Sequence, residues 1–145
     1  MVLLFDSRGA TDDIDAGIYP KNQILEVARE VGERRGLGSK WLNDDAKIFI
    51  SPVKPPSWQL MRTIGSIEIW TADPRSLLAM KLRASRGQRD QGDLTLLLEA
   101  CQIETVEGAI ALFKEYYPED PLPDQAEVMI RFSLTQRSTS GDDSV

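Results

Sequence analysis

The rhythm of apolar and polar positions changes along this chain of 145 residues, and each change marks an expected element. The first ten residues, MVLLFDSRGA, are an apolar run closed by Gly9 and read as the last turns of a helix. Asp13 to Tyr19 then alternates with a period of two and is closed by Pro20, which predicts a short strand with Asp13 and Asp15 on one face. From Lys21 to Arg35 the apolar positions Ile24, Val27, Ala28 and Val31 recur at helical spacing, with Asn22 as N-cap and Gly36 and Gly38 as the stop. Trp41 to Asp45 reads as a loop or short turn, Ala46 to Ser51 as a second strand, and the Pro-rich VKPPSW as irregular chain. Ile64 to Thr71 reads as a third strand, with Ile67 and Ile69 on one face and Ser66, Glu68 and Trp70 on the other.

The second half is helical in pattern. Asp73 and Pro74 form a cap and first position for a helix to about Ser85, ended by Arg86 and Gly87. Asp90 to Cys101 follows, with Leu94, Leu97, Leu98 and Cys101 as its stripe, then Val106 to Tyr117 before Pro118, and Asp124 to about Gln136. The expected fold is α+β, a small mixed β-sheet backed by helices, as a single domain over 1–137 followed by a disordered tail at 138–145.

Composition narrows the chemistry. A net charge of -6 excludes a protein that grips nucleic acid by charge alone. The absence of histidine excludes Ser-His-Asp hydrolysis and ordinary zinc sites, and the single Cys101 fits a reducing compartment. Carboxylates, lysines, arginines and hydroxyls remain, a set compatible with Mg²⁺-dependent phosphate chemistry. No stretch approaches the roughly 20 apolar residues of a membrane span, and Met1 to Phe5 is short for a signal peptide, so a cytoplasmic protein without membrane contact is expected.

Three patches could carry chemistry. Asp13 and Asp15, two apart on a strand, can share divalent cations with Glu68 as a third carboxylate, or they can lie on a solvated face. Lys81 falls on the helix stripe that should face the core, where it either snorkels along apolar surface or presents its ammonium to an anion; Arg83 and Arg86 lie near it. Asp90 and Asp93 open the next helix, as caps or as partners that orient Lys81 or Arg86 across the turn. Trp70, Phe113, Tyr116 and Tyr117 are expected in packing, and Cys101 as a buried small hydrophobe.

In this order, S-R-G-A-T-D-D-I-D-A at 7–16, W-L-N-D at 41–44 and S-L-L-A-M-K-L-R-A-S-R-x-x-R-D-x-x-D-L at 76–94 resemble the AbiEii-like and related uncharacterised nucleotidyltransferase families, which include bacterial toxins of toxin-antitoxin and phage-defence systems. The similarity covers roughly residues 5 to 120 and implies a fold like that of DNA polymerase β. By this resemblance Asp13 and Asp15 bind metal, two Mg²⁺ or in their place Mn²⁺, with Glu68 a loose match to a third ligand. Asp13, Asp15, Lys81 and Asp90 form the implied catalytic set, Ser7, Arg8, Lys81, Arg86 and Arg89 face the nucleotide, and Asp93 fits the final acidic position. The resemblance leads one to expect a Gly-Gly or Gly-Ser motif, with a strand before it, ahead of the D-x-D strand, and these residues would lie upstream of Met1 or be lost in a truncated relative. Their loss would leave a sheet edge for a dimer or another partner to cover.

The implied function is transfer of NMP from an NTP to a hydroxyl of RNA, such as tRNA, or of a protein, in a toxin that has a cognate antitoxin. The alternative is a catalytically inactive nucleotidyltransferase-like module that binds or regulates.

Overall fold

The computed structural model describes residues 14–85 and 91–140, with backbone alone at 138–140. The expected remnant helix at 1–10 and the end of the expected tail, 141–145, lie outside the described residues. The fold class is α+β, with five α-helices and two two-stranded sheets among the described residues. None of these helices is long and apolar enough to cross a membrane. The chain divides into two compact units, Met1–Ile50 and Ser51–Val145.

The first unit is a strand–helix–strand crossover. Strand β1 (Ile14–Asp15) pairs in parallel with β2 (Leu42–Asn43), Ile14 opposite Leu42 and Asp15 opposite Asn43. The intervening helix α1 (Lys21–Arg35) has the expected bounds. It starts directly after Pro20, whose extended ψ of 128° turns the chain into the helix, so Asn22 sits inside the first turn and is not the cap. At the other end Gly36 takes φ 68°, and the Leu37 N–H reaches back to the Gly32 carbonyl at 2.9 Å, a left-handed stop that glycine makes without steric cost. Ala28 and Gly32 face inward, while Val27 faces solvent.

Trp41 closes this unit onto its helix. Its indole Nε1 donates to the Ala28 carbonyl at 2.7 Å, and its ring lies so close to Gly32 that an added Cβ there would stand 2.8 Å from Cδ1. The Trp41 carbonyl accepts from the Ile14 N–H, and the Asn43 carbonyl accepts from Ala16. Within the segment expected as a loop or short turn, Leu42–Asn43 is therefore a short strand, held by its backbone bonds.

The expected strand at 46–51 is instead a 3₁₀ helix, Asp45–Phe49. The Asn43 Oδ1 accepts from the Asp45 N–H at 2.9 Å, and the Lys47 ammonium bonds the Asp44 carboxylate, local bonds that fold the chain tightly before a strand can extend.

The second unit has a β-hairpin and a helical core. Strand β3 (Trp58–Ile64) pairs antiparallel with β4 (Ile67–Ala72) across Gly65 and Ser66, Gly65 having φ 61°. The single strand expected at Ile64–Thr71 is thus broken by the turn, with Ile64 ending a strand that begins at Trp58, the end of the segment expected as irregular chain. An irregularity between Leu60 and Arg62 interrupts the ladder, and with it the period-two pattern that marks a strand. In β4 the expected alternation holds: Ile67 and Ile69 share one face, Glu68 and Trp70 the other, while Ser66 belongs to the turn. Trp70, however, is half exposed and not in a core.

Helices α2 (Pro74–Arg83), α3 (Gln91–Ala100), α4 (Val106–Tyr116) and α5 (Asp124–Ser140) form the core of this unit. Leu78 and Leu82 of α2, Leu94, Leu97 and Leu98 of α3, Leu112 and Phe113 of α4 and Ile130 of α5 are almost wholly buried. Cys101, expected among them, is only partly buried because it lies past the end of α3. α5 continues to Ser140, beyond the expected Gln136 and into the segment expected as tail.

Asp73 joins the hairpin to this core. Its carboxylate accepts from the Ser76 N–H at 3.1 Å, the Ser76 hydroxyl at 2.6 Å and the Ser57 N–H at 2.9 Å, while its own N–H donates to the Ser57 carbonyl. Burial alone would raise this carboxyl, but the bonds from Ser76 and Ser57 outweigh it and hold Asp73 below its ordinary value. Asp73→Ala should lower the unfolding free energy in urea by about 0.5–2 kcal/mol, the usual range for a lost cap. Asp73→Asn, which keeps a capping oxygen, should retain most of it.

Candidate functional site

In the first unit, Asp15 ends β1 with its side chain exposed, in register with Asn43 at the end of β2. The carboxyl ends of parallel strands in such crossovers are where ligands bind in open α/β sheets. Beside them Asp44 is held by two cations, Lys21 at 2.8 Å and Lys47 at 2.6 Å, which leave its side chain 13% exposed. The hydrogen bond from Lys21, then that from Lys47, lowers its carboxyl to about 2, and in return Asp44 raises Lys47. An open cleft of about 270 Å³ runs along this region, lined by Lys21, Arg29, Lys40, Asn43, Asp44 and Asp45 over the apolar Leu25, Ala28 and Leu42. No hydrophobic or charge period in the sequence marks the pairing of Asp44 with Lys21. The W-L-N-D segment at 41–44 was the only signal, and it carried no assigned role.

In the second unit, α2 carries Lys81 one residue before the buried Leu82, and the Asp73 cap fixes where that helix starts. The Lys81 Nζ donates to the Asp93 Oδ2 at 3.1 Å, with the two side chains 18% and 24% exposed. Asp93 meets both readings open for it: it lies in the first turn of α3 and it is the partner of Lys81 across the turn. Arg83 turns elsewhere: it pairs with Asp120 at 3.1 Å and lies over the Tyr117 ring, 4.6 Å from its centroid. Phe113, Tyr116 and Tyr117 are buried as expected. Glu68 is exposed on β4 and accepts from the Trp70 Nε1 at 3.2 Å.

A second ion-pair cluster lies on the same unit. Glu115 accepts from both Lys54 and Arg75, with Lys54 also over the Tyr116 ring at 4.8 Å. The Lys54 hydrogen bond lowers the Glu115 carboxyl. Ser51 donates to the Tyr116 carbonyl and accepts from Val53 and Lys54, so the chain before the hairpin is fastened to α4.

The structure thus unites Lys81 with Asp93, places Asp15 at a strand end in the first unit, and leaves Glu68 on the hairpin of the second. Ser7, Arg8, Asp13, Arg86, Arg89 and Asp90 lie outside the described residues. Among the described residues no three His, Cys, Asp or Glu side chains stand together in a way that could hold a metal ion. No family model, curated protein or solved structure matches the chain.

The sign of the Asp44 shift fixes a pH dependence. A carboxyl lowered by folding contributes stability in full above its unfolded value near pH 4, and that contribution is lost as the pH falls through about 2. Lys21→Met should move the Asp44 titration upward toward the ordinary range, and the double variant with Lys47→Met should move it further. Carboxyl-detected NMR of Asp44 between pH 1.5 and 6, about two units either side of the ordinary value, checks both.

Proposed function

We propose that this protein is a nucleotidyltransferase of the AbiEii-like type, Mg²⁺-dependent, moving NMP from an NTP to a hydroxyl of RNA or of a protein. Such a protein would work in the cytoplasm, as the toxin of a toxin-antitoxin or phage-defence pair. The observation that carries the reading is the Lys81–Asp93 ion pair, 3.1 Å long. It brings together the lysine and the last acid of the helical motif, which lie on two different helices. The placement of Asp15 at the end of a parallel strand supports it further.

In the proposed reaction the acceptor oxygen attacks the α-phosphorus, the bond from that phosphorus to the bridging oxygen breaks, pyrophosphate leaves, and the hydroxyl proton passes to solvent. Lys81 would offset the charge of the phosphates, held by Asp93 at a fixed position on α2 until they arrive. Asp13 and Asp15 would provide hard carboxylate oxygens, the donors that Mg²⁺ prefers, and the bound ion would neutralise phosphate charge. Of those two, Asp15 lies among the described residues, with its side chain exposed.

Thermal melting of the chain with each NTP in Mg²⁺ tests this, because a ligand that binds only the folded state must raise the midpoint. The expected result is a rise with at least one NTP that disappears in Asp13→Asn/Asp15→Asn and weakens in Lys81→Ala, with transfer of labelled NMP abolished in both variants. A rise without transfer would assign the chain to the inactive, binding form of the fold. No rise with any nucleotide would overturn the proposal.

A further inference from the structure

We infer that the β3–β4 hairpin is a self-association surface, whose occupant is the same hairpin of a second copy of this chain. Six large apolar residues of the hairpin, Trp58, Leu60, Met61, Ile64, Ile67 and Trp70, are 40–57% exposed. Leu60 stands opposite Trp70 and Trp58 opposite Ala72 on one face, and Ile64 stands opposite Ile67 on the other. Both faces therefore carry exposed apolar residues, unlike an ordinary surface hairpin, which is polar on its outer side.

The two edges differ. β3 is blunted by the irregularity between Leu60 and Arg62 and by Arg62 itself. β4 carries no proline, lysine or bulge, and its one charge, Glu68, is engaged by the Trp70 indole of its own strand. Among the described residues no third strand pairs with it. Such an edge is a template for another strand.

Charge and the unpaired β4 edge point to a second copy as the occupant. The hairpin holds one cation and one anion, Arg62 and Glu68, so the patch is neutral and can complement itself, as a two-fold interface requires. Nucleic acid would need a basic patch, and the chain as a whole carries -6. A flat membrane would cover one face of the hairpin, whereas joining two sheets edge to edge covers the margins of both. Of the six, Ile67 and Trp70 lie on β4 itself and on its two opposite faces, 57% and 49% exposed, so a second β4 laid against that edge would cover part of both.

Sedimentation equilibrium of the full chain across the micromolar range tests this. A dimer is expected, with Ile67→Lys and Trp70→Lys each weakening association at least about tenfold, as loss of a central anchor does. Val128→Lys, at an exposed site on α5, should leave association unchanged. Should a hairpin variant lose helical circular dichroism, hydrogen exchange of the unaltered chain replaces it, and β4 amides should gain protection as concentration rises. A monomer at every concentration, including one that sediments with lipid vesicles, would overturn the inference. So would a dimer indifferent to both hairpin variants, or β4 exchange independent of concentration.

Discussion

The second unit depends on the hydrogen bonds that Asp73 makes to Ser57 and Ser76. One residue ends β4, opens α2 and pins the start of β3 through Ser57. A carboxylate does this better than a neutral cap, because it can accept three donors at once and its negative charge faces the positive end of the helix. Once the helix start is fixed, its period puts Leu78, Ala79 and Leu82 into the core and Lys81 beside them, at the edge of the buried stripe. The lysine's position is thus a consequence of a cap eight residues away.

Burial also explains why Lys81 needs Asp93. An ammonium with little solvent access is costly unless paired, and the partner comes from the first turn of α3, where an acid is already favoured by the helix dipole. One side chain thus serves the helix end and the lysine together. The same economy recurs at Glu115, which holds Lys54 and Arg75, and at Asp44, which holds Lys21 and Lys47. These cations are therefore paired with acids, even where, as at Lys21, Lys47, Lys54 and Arg75, about half of the side chain is exposed.

The helices were legible in the sequence because each has a long apolar period and a clear start or stop: Gly36 for α1, Asp73 and Pro74 for α2, Pro118 beyond α4. The strands were less so, for three physical reasons. β2 is held by backbone bonds and by Trp41 lying on α1, with Asn43 and Asp44 giving it the look of a turn. β3 loses its alternation at the irregularity after Leu60. The 3₁₀ segment from Asp45 follows a local side-chain bond from Asn43 that no hydrophobic pattern records. Of the candidate site, the joining of Lys81 and Asp93 was readable from helix spacing across a turn. The double pairing of Asp44 was not, because Lys21 and Asp44 are brought together only when β2 folds back along α1.

The three tryptophans differ sharply in surroundings, and this gives the molecule its own optical reporters. Trp41 is hydrogen-bonded and packed on Gly32 in the first unit, while Trp58 and Trp70 lie half exposed on the hairpin of the second. Indole emission shifts to the red as water reaches the ring, so Trp41 alone should emit in the blue. With the two hairpin indoles replaced by phenylalanine, the remaining signal would follow the melting of the crossover unit in isolation from the helical core.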